Sequence, residues 1–258
     1  MRLPILHDLR HTLRKAFSLT EDTASHEEIK QRIISGGQVT GTNMCILICA
    51  ILIASVGLNT GSTAVIIGAM LISPLMGTIL ATAYGTAAAD VHRFRRSLFG
   101  FFVQVIISLI VSVTYVTLSP INAPSSELLA RTQPSIYDVV IATAGGVAGI
   151  IGNTRADKAN NVIPGVAIAT ALMPPLCTCG YSIAHFEWQM LAGAAYLFMV
   201  NCYFIFMAAV LILDLLKIPK VRALSDKQWR KVKKAMLRNA IIVLIPSILL
   251  TYLMFLDQ

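Results

Sequence analysis

Charged residues are scarce in this sequence: Asp, Glu, Lys and Arg together make up 13% of its 258 residues, whereas hydrophobic residues make up 56%. No Asp or Glu lies at the centre of a long apolar run. A soluble domain rarely has this composition, and apolar runs of about 20 residues are typical of membrane helices. The missing central carboxylates also argue against a proton-coupled carrier, because such a carrier needs a buried ionisable relay.

Catalytic signatures are missing as well. The sequence has no Walker loop, no His-Glu-x-x-His motif, no Gly-x-Ser-x-Gly elbow and no paired intramembrane aspartates. Its five cysteines lie in or near apolar runs, which argues against a disulfide framework. Cys177 and Cys179 leave a soft-metal site as an alternative, although side chains two residues apart diverge on a helix. We therefore expect no enzyme, no metal and no cofactor.

Long apolar segments fill most of the remaining chain. They predict seven transmembrane helices, at about 44–58, 64–89, 98–118, 136–152, 162–183, 190–214 and 240–256. Because Lys and Arg collect in cytoplasmic loops, their positions predict the orientation. With the N-terminus inside, every basic residue of the 21 except Arg131 falls in an inside segment, and the C-terminus lies outside. The net charge of +8 is then a topology signal that implies no nucleic-acid partner.

These segments divide the chain into six parts. The parts are a cytoplasmic N-terminal arm (1–43), a first transmembrane repeat (44–118), an external loop (119–135), a second transmembrane repeat (136–214), a basic cytoplasmic loop (215–239) and a final transmembrane helix (240–258). The arm contains apolar residues at helical spacing beside basic ones, at Leu6, Leu9, Leu13 and Phe17. This pattern predicts an amphipathic helix on the inner leaflet, or else one packed on another protein surface.

Two local motifs carry specific predictions. Ser25 precedes Glu28 by three residues, which predicts a capping box at the start of a short helix. Glu127 precedes Arg131 by four residues in the external loop, a spacing that suits an ion pair on a short helix.

Part of the sequence repeats itself at a constant offset of 97 residues. Val65, Ile66 and Gly68 align with Val162, Ile163 and Gly165, and the same offset carries Phe101 onto Phe198 and Gln104 onto Asn201. Each repeat would hold three spans, so the second copy would cross the membrane upside down. The predicted fold class is an all-α membrane protein of about seven transmembrane helices, with two inverted three-helix repeats and proline-broken helices.

Proline interrupts the second span of each repeat, at Ser73-Pro74 and at Pro174-Pro175. A helix that restarts inside the membrane presents unpaired amide donors and about half a positive charge, which favours an anion or a carboxylate group. The predicted inner half begins near Leu75, and the predicted outer half begins near Leu176. The alternative is that both helices are only kinked. The predicted solute-binding residues are Ser73, Pro74, Leu75, Met76, Gly77, Gln104, Thr170, Pro174, Pro175, Leu176, Cys177 and Asn201.

Four stretches resemble a known family. GLNTGSTAVIIGAMLISPLMG, SSELLARTQPSIYDVVIATAGGVAG, IPGVAIATALMPPL and LFMVN are similar to the bacterial uncharacterised hydrophobic domain family, domain of unknown function 389. The resemblance covers about residues 40 to 215. It implies a bacterial or archaeal multi-pass inner-membrane protein, and it implies no settled activity.

The sequence therefore predicts a transporter or channel for a small anionic or zwitterionic solute, in the inner membrane with its N-terminus in the cytoplasm. The alternative is a membrane scaffold, or a regulatory or lipid-interacting protein that transports nothing. The expected partners are membrane lipids and the solute. Because several stripes of small residues are available for helix packing, we also expect a homo-oligomer.

Overall fold

The computed structural model describes residues 23–121, 123–156, 172–222 and 225–256. In these ranges the chain forms helices and no strand, apart from one isolated antiparallel bridge between Thr23 and Arg155. The helices are α1 (His26–Gly36), α2 (Gly41–Asn59), α3 (Thr63–Ile72), α4 (Leu75–Ala87), α5 (Val91–Leu118), α6 (Ser126–Ala130), α7 (Ile136–Thr154), α8 (Met173–Ala184), α9 (Trp188–Leu215) and α10 (Asp226–Leu256).

Four of these helices, α2, α5, α7 and α9, are long and apolar enough to cross a membrane. The pair α3 and α4 would make a fifth span, bent by 44° at the break between them. The chain is therefore compatible with a multi-pass integral membrane protein. The count of seven spans stays a prediction, as does the amphipathic helix at Leu6 to Phe17, which lies outside the described residues.

Both local motifs form as predicted. Ser25 caps α1: its Oγ accepts from the backbone N–H of Glu28, and its own N–H donates to Glu28 Oε2 at 3.2 Å. Glu127 and Arg131 form an ion pair of 3.6 Å at α6. The capping box satisfies two amides that the start of a helix would otherwise leave unpaired.

Hydrogen bonds between connections define the two ends of the helix bundle. At one end the N–H of Val221, beyond α9, donates to the carbonyl of Ala88, beyond α4, at 2.7 Å. At the same end Ala24 N–H, before α1, donates to the carbonyl of Thr154 at 2.8 Å. Since α5 starts beside Ala88 and α9 finishes just before Val221, α5 and α9 run antiparallel.

The other end is closed by the segment that joins α5 to α7. There the side-chain amide of Asn59, at the end of α2, donates to Ser119 Oγ at 2.9 Å. The Thr63 hydroxyl, at the start of α3, donates to Glu127 Oε1 at 2.7 Å. These bonds join the α2–α3 turn to the segment between α5 and α7.

Helix α1 packs into the core of the bundle. Ile29 and Ile33 are fully buried in a cluster that includes residues of α4, α7 and α9. The helix also approaches α4 closely, because a Cβ placed on Gly77 would collide with the carbonyl of Gly36. The absence of a side chain at Gly77 is therefore what admits the end of α1.

Helices α5 and α9 correspond closely. Each has 28 residues, and Trp188 follows Val91 by 97 positions. The turn before each helix contains a non-glycine residue of positive φ, Ala89 at 53° and Phe186 at 60°. These two residues are also 97 positions apart. The helix starts and the positive-φ residues before them thus share the spacing of 97 positions.

The aromatic rings of Phe101 and Phe198 stack between α5 and α9. Their centroids lie 6.1 Å apart, and their planes differ by 4°. These are the residues that the 97-residue offset aligns.

Candidate functional site

The backbone leaves helical geometry at Ser73 and resumes it at Leu75. Ser73 has extended dihedral angles, with ψ of 129°, and Pro74 occupies the cap position of α4. The N–H of Leu75 donates to Ser73 Oγ at 3.4 Å, and the N–H of Gly77 donates to the Pro74 carbonyl at 3.1 Å. Two of the amide donors predicted to face a solute are thus used within the turn itself. A solute at the start of α4 would therefore interact mainly with the helix dipole and less with these two amides.

Gln104 of α5 lies against the first turns of α4 and is completely buried. Its Oε1 accepts from the Thr78 hydroxyl at 2.8 Å, and the Thr78 Oγ also lies 2.7 Å from the Leu75 carbonyl. The amide nitrogen of Gln104, Nε2, has no hydrogen-bond partner. An unpaired buried donor costs about 1–3 kcal/mol. A carbonyl, carboxylate or other acceptor placed there would satisfy it.

The second predicted break has a different local form. Helix α8 begins at Met173, so Pro174 and Pro175 lie in its first turn. A proline in the first turn removes no helical hydrogen bond, because the first amides of a helix have no intrahelical partner. The sequence pattern predicted a helix start near Leu176, and the helix in fact begins three residues earlier, at Met173. Residues 157–171, which include Thr170, lie outside the described ranges.

The start of α8 is held against α2 and α5. The Ser112 hydroxyl of α5 donates to the carbonyl of Cys177 at 3.0 Å, and Ser55 of α2 donates to Ser112 at 3.4 Å. A Cβ on Gly180 would collide with the Ser112 side chain. This close approach fixes the position of α8 relative to α5.

The two helix starts share an apolar cluster. Leu75, Met173, Leu176 and Cys177 are each at most 2% exposed and belong to one group of packed side chains. Other predicted residues are only half-buried: Ser73, Pro74, Met76 and Gly77. The predicted site therefore divides into a packed apolar part and a polar part at Gln104.

Asn201, the predicted counterpart of Gln104, is buried on α9. Among the described residues no hydrogen bond joins it to Gln104, so the structure does not bring the two amides together as a pair. Cys177 and Cys179 are buried free thiols. No group of three potential metal ligands occurs in the described part of the chain.

Sequence reasoning missed Thr78, which orients Gln104. Thr78, Thr82 and Thr86 recur every fourth residue and so share one face of α4. Thr78 and Thr82 are buried, and Thr82 donates to the carbonyl of Thr78 at 2.7 Å. A polar stripe at helical spacing within an apolar segment was the available signal.

Comparison with known proteins places these features in a wider family. A family model described as Domain of unknown function (DUF389) matches residues 70–207, just over half of the chain. An uncharacterised protein of Methanocaldococcus jannaschii is 26% identical over 189 residues, which cover 73% of this chain and 58% of that protein. The chain thus spans little more than half the length of this relative. No solved structure matches.

Proposed function

The chain belongs to the DUF389 family, whose function is unknown. From the geometry of its buried polar groups, we propose that it carries a small anionic or zwitterionic solute across a membrane. The proposed site lies between the start of α4 and the start of α8, with Gln104 as its polar contact. The protein acts as a carrier or channel in this proposal, and no chemical step is assigned to it.

The unpaired amide of Gln104 is the observation that carries the proposal. In a membrane no water is available to satisfy a buried donor, so a buried amide that lacks a partner within the protein is a candidate for solute binding. Gln104 is completely buried, and its Oε1 is occupied by Thr78. The amide hydrogens on Gln104 Nε2 remain available, and they can donate only to an acceptor. This selects a solute that brings an oxygen with lone pairs, such as a carboxylate or an oxyanion.

An inverted repeat would supply the architecture for such a carrier. The antiparallel course of α5 and α9, their equal length and their 97-residue spacing all support it. The stacking of Phe101 on Phe198 supports an axis between the halves. In this proposal α3 and α4 form one discontinuous membrane helix, and α8 is the second half of another.

The orientation follows from charge. The bundle end that carries Ala88, Thr154 and Val221 also carries the basic residues near the start of α5, after α7 and after α9. Arg131 lies at the opposite end, beside α6. We place the basic end in the cytoplasm, which puts the N-terminus inside and makes α10 the seventh span of an inner-membrane protein.

A second candidate is a membrane scaffold that transports nothing. The apolar cluster of Leu75, Met173, Leu176 and Cys177 favours it, because a path for a solute must be wetted or opened and these side chains are tightly buried. A carrier would have to separate this cluster during its cycle.

A solute screen with a matched pair of variants tests the proposal. Purified protein is melted in detergent with inorganic anions, carboxylates and amino acids, and solutes that raise the Tm are tested for uptake into proteoliposomes. Gln104→Met keeps the side-chain volume and removes the amide, so it should abolish both the Tm increase and the uptake. Ser108→Ala is the control, because Ser108 donates to the carbonyl of Gln104 within its own helix.

The stability of the two variants separates a binding role from a packing role. Thr78 keeps the Leu75 carbonyl as an acceptor in Gln104→Met, so no new unpaired donor arises. The ligand-free Tm of Gln104→Met should therefore equal or exceed that of the unaltered chain. Undiminished uptake in this variant, or a screen in which no solute raises the Tm, would favour the scaffold.

A further inference from the structure

A cavity of about 190 Å³ lies along the first turns of α5, about one helical turn from Gln104. The end of α1 and the segment after it form one wall, α4 contributes Ala81, and α5 forms the other wall. Its polar lining includes Gln38, Arg93, Arg96 and Ser97. A cavity of about 150 Å³ in another protein is large enough to bind benzene. The cavity at α5 is therefore large enough for a phosphate group with part of a glycerol.

The electrostatics of the cavity favour an anion. Arg93 is paired with the carboxylate of Asp90 at 3.2 Å. Arg96 is exposed and forms no ion pair with any carboxylate in the described ranges. The first turn of α5 contains no acidic residue. An unpaired guanidinium in a recess, beside a second arginine, matches the planar bidentate recognition of phosphate oxygens.

The lining changes from charged to apolar along α5. Arg93 and Arg96 lie near the helix start, whereas Phe99, Gly100 and Val103 line the cavity further along. Ten residues of helix span about 15 Å. Phe99 is 71% exposed and Val39 is 45% exposed, so apolar surface continues from the cavity to the outside of the bundle. The cationic end thus lies where the apolar part of a candidate membrane span begins.

We propose that this cavity binds an anionic phospholipid, with the lipid phosphate at Arg96 and Arg93 and one acyl chain along Val39, Phe99 and Val103. A free anion would use the arginines alone and would leave the apolar wall exposed. A phospholipid has a charged phosphodiester next to a hydrocarbon chain. The cavity likewise has its arginines next to its apolar side chains. The cavity shares no lining residue with the proposed solute site, and its test does not depend on transport.

Binding is measured on the full chain in detergent, by titration with dihexanoyl phosphatidylglycerol and, separately, with inorganic phosphate. The lipid should raise the Tm, and native mass spectrometry should show one lipid retained per chain. Arg96→Gln should weaken the apparent affinity about tenfold, because it removes charge-assisted hydrogen bonds to the lipid phosphate. Arg95→Gln is the control: it removes the same charge from the same turn, and Arg95 does not line the cavity.

Ser97→Leu reduces the cavity without changing the charge, and it should weaken lipid binding as well. Equal affinities for Arg96→Gln and Arg95→Gln would overturn the site, because they would show a general attraction to basic charge. An equal Tm increase with inorganic phosphate, at the same concentration and with the same dependence on Arg96, would overturn the lipid assignment.

Discussion

Asp90 performs two tasks at the start of α5. Its carboxylate accepts from the backbone N–H of Arg93 at 3.0 Å, which caps the helix, and it also pairs with the Arg93 guanidinium at 3.2 Å. These contacts lower the pKa of the Asp90 carboxyl below its usual value: the backbone hydrogen bond from Arg93 contributes most, and the Arg93 side chain adds to it. The ionised form is therefore the one that stabilises the fold.

We expect Asp90→Asn to lower the free energy of unfolding at neutral pH by about 0.5–1 kcal/mol, because the amide still caps α5 but loses the ion pair with Arg93 and the negative charge at the helix start. A carboxyl of lowered pKa stabilises the fold above its unfolded value, near 4, and loses this contribution as the pH falls through the folded value. The difference in Tm between the two chains should therefore shrink below about pH 4. Melting in detergent from pH 3 to pH 7 measures it.

The control for this prediction is Glu27→Gln, which removes an exposed ion pair with Lys30. Exposed pairs contribute little, so this change should stay within about 0.5 kcal/mol at every pH. A constant difference for Asp90→Asn across the whole pH range would show that the carboxylate charge has no part in the cap.

At the scale of the helices, the close contact between α1 and α4 gives a direct test of packing. Gly77 faces the carbonyl of Gly36, whereas nothing lies within 4 Å of a Cβ built on Gly68, in the preceding helix α3. We expect Gly77→Ala to push α1 away from α4 and to cost about 1–3 kcal/mol, as overpacking does. Gly68→Ala should be neutral or stabilising by up to about 1 kcal/mol.

Thermal melting of both variants checks this difference, and limited proteolysis near Gly37 reports whether α1 has detached. If the two alanine variants melt alike, α1 does not need the close approach at Gly77. Loss of stability with Gly68→Ala alone would place the critical contact in α3.

Local sequence patterns predicted the parts of this fold that depend on neighbouring residues. The Ser25 capping box and the Glu127–Arg131 pair formed because both partners are a few residues apart on one helix. Apolar runs located α2, α5, α7 and α9, since hydrophobic length is itself what a membrane helix requires.

Contacts between distant segments were not predicted. Nothing local in the sequence shows that Gly77 packs against the carbonyl of Gly36. Gln104 was predicted as a solute-binding residue, but its pairing with Thr78 depends on how α4 packs on α5. The start of α8 at Met173 was missed because prolines are tolerated in a first turn. The Gly77 and Gln104 contacts are properties of helix packing, which one-dimensional patterns do not encode.

For the whole molecule, orientation is the property to test first. We expect a reporter fused after Lys217 to be cytoplasmic and one fused after Gln258 to be external, because the basic residues gather at one end of the bundle. Alkaline phosphatase and green fluorescent protein fusions give opposite signals on the two sides, so each site has its own control. A cytoplasmic signal at Gln258 would remove α10 as a seventh span.

The packing of α4 on α9 and of α5 on α8 has a consequence for biosynthesis. Each contact joins a helix made early to one made about a hundred residues later, and ribosomes add about 5–20 residues per second. For roughly 5 to 20 seconds the first three membrane segments must therefore wait in the bilayer without these partners. During that interval Ser112, whose acceptor is the Cys177 carbonyl of α8, faces lipid, the translocation machinery or a chaperone. Slow translation across the second half would lengthen this exposure and should increase degradation of the nascent chain.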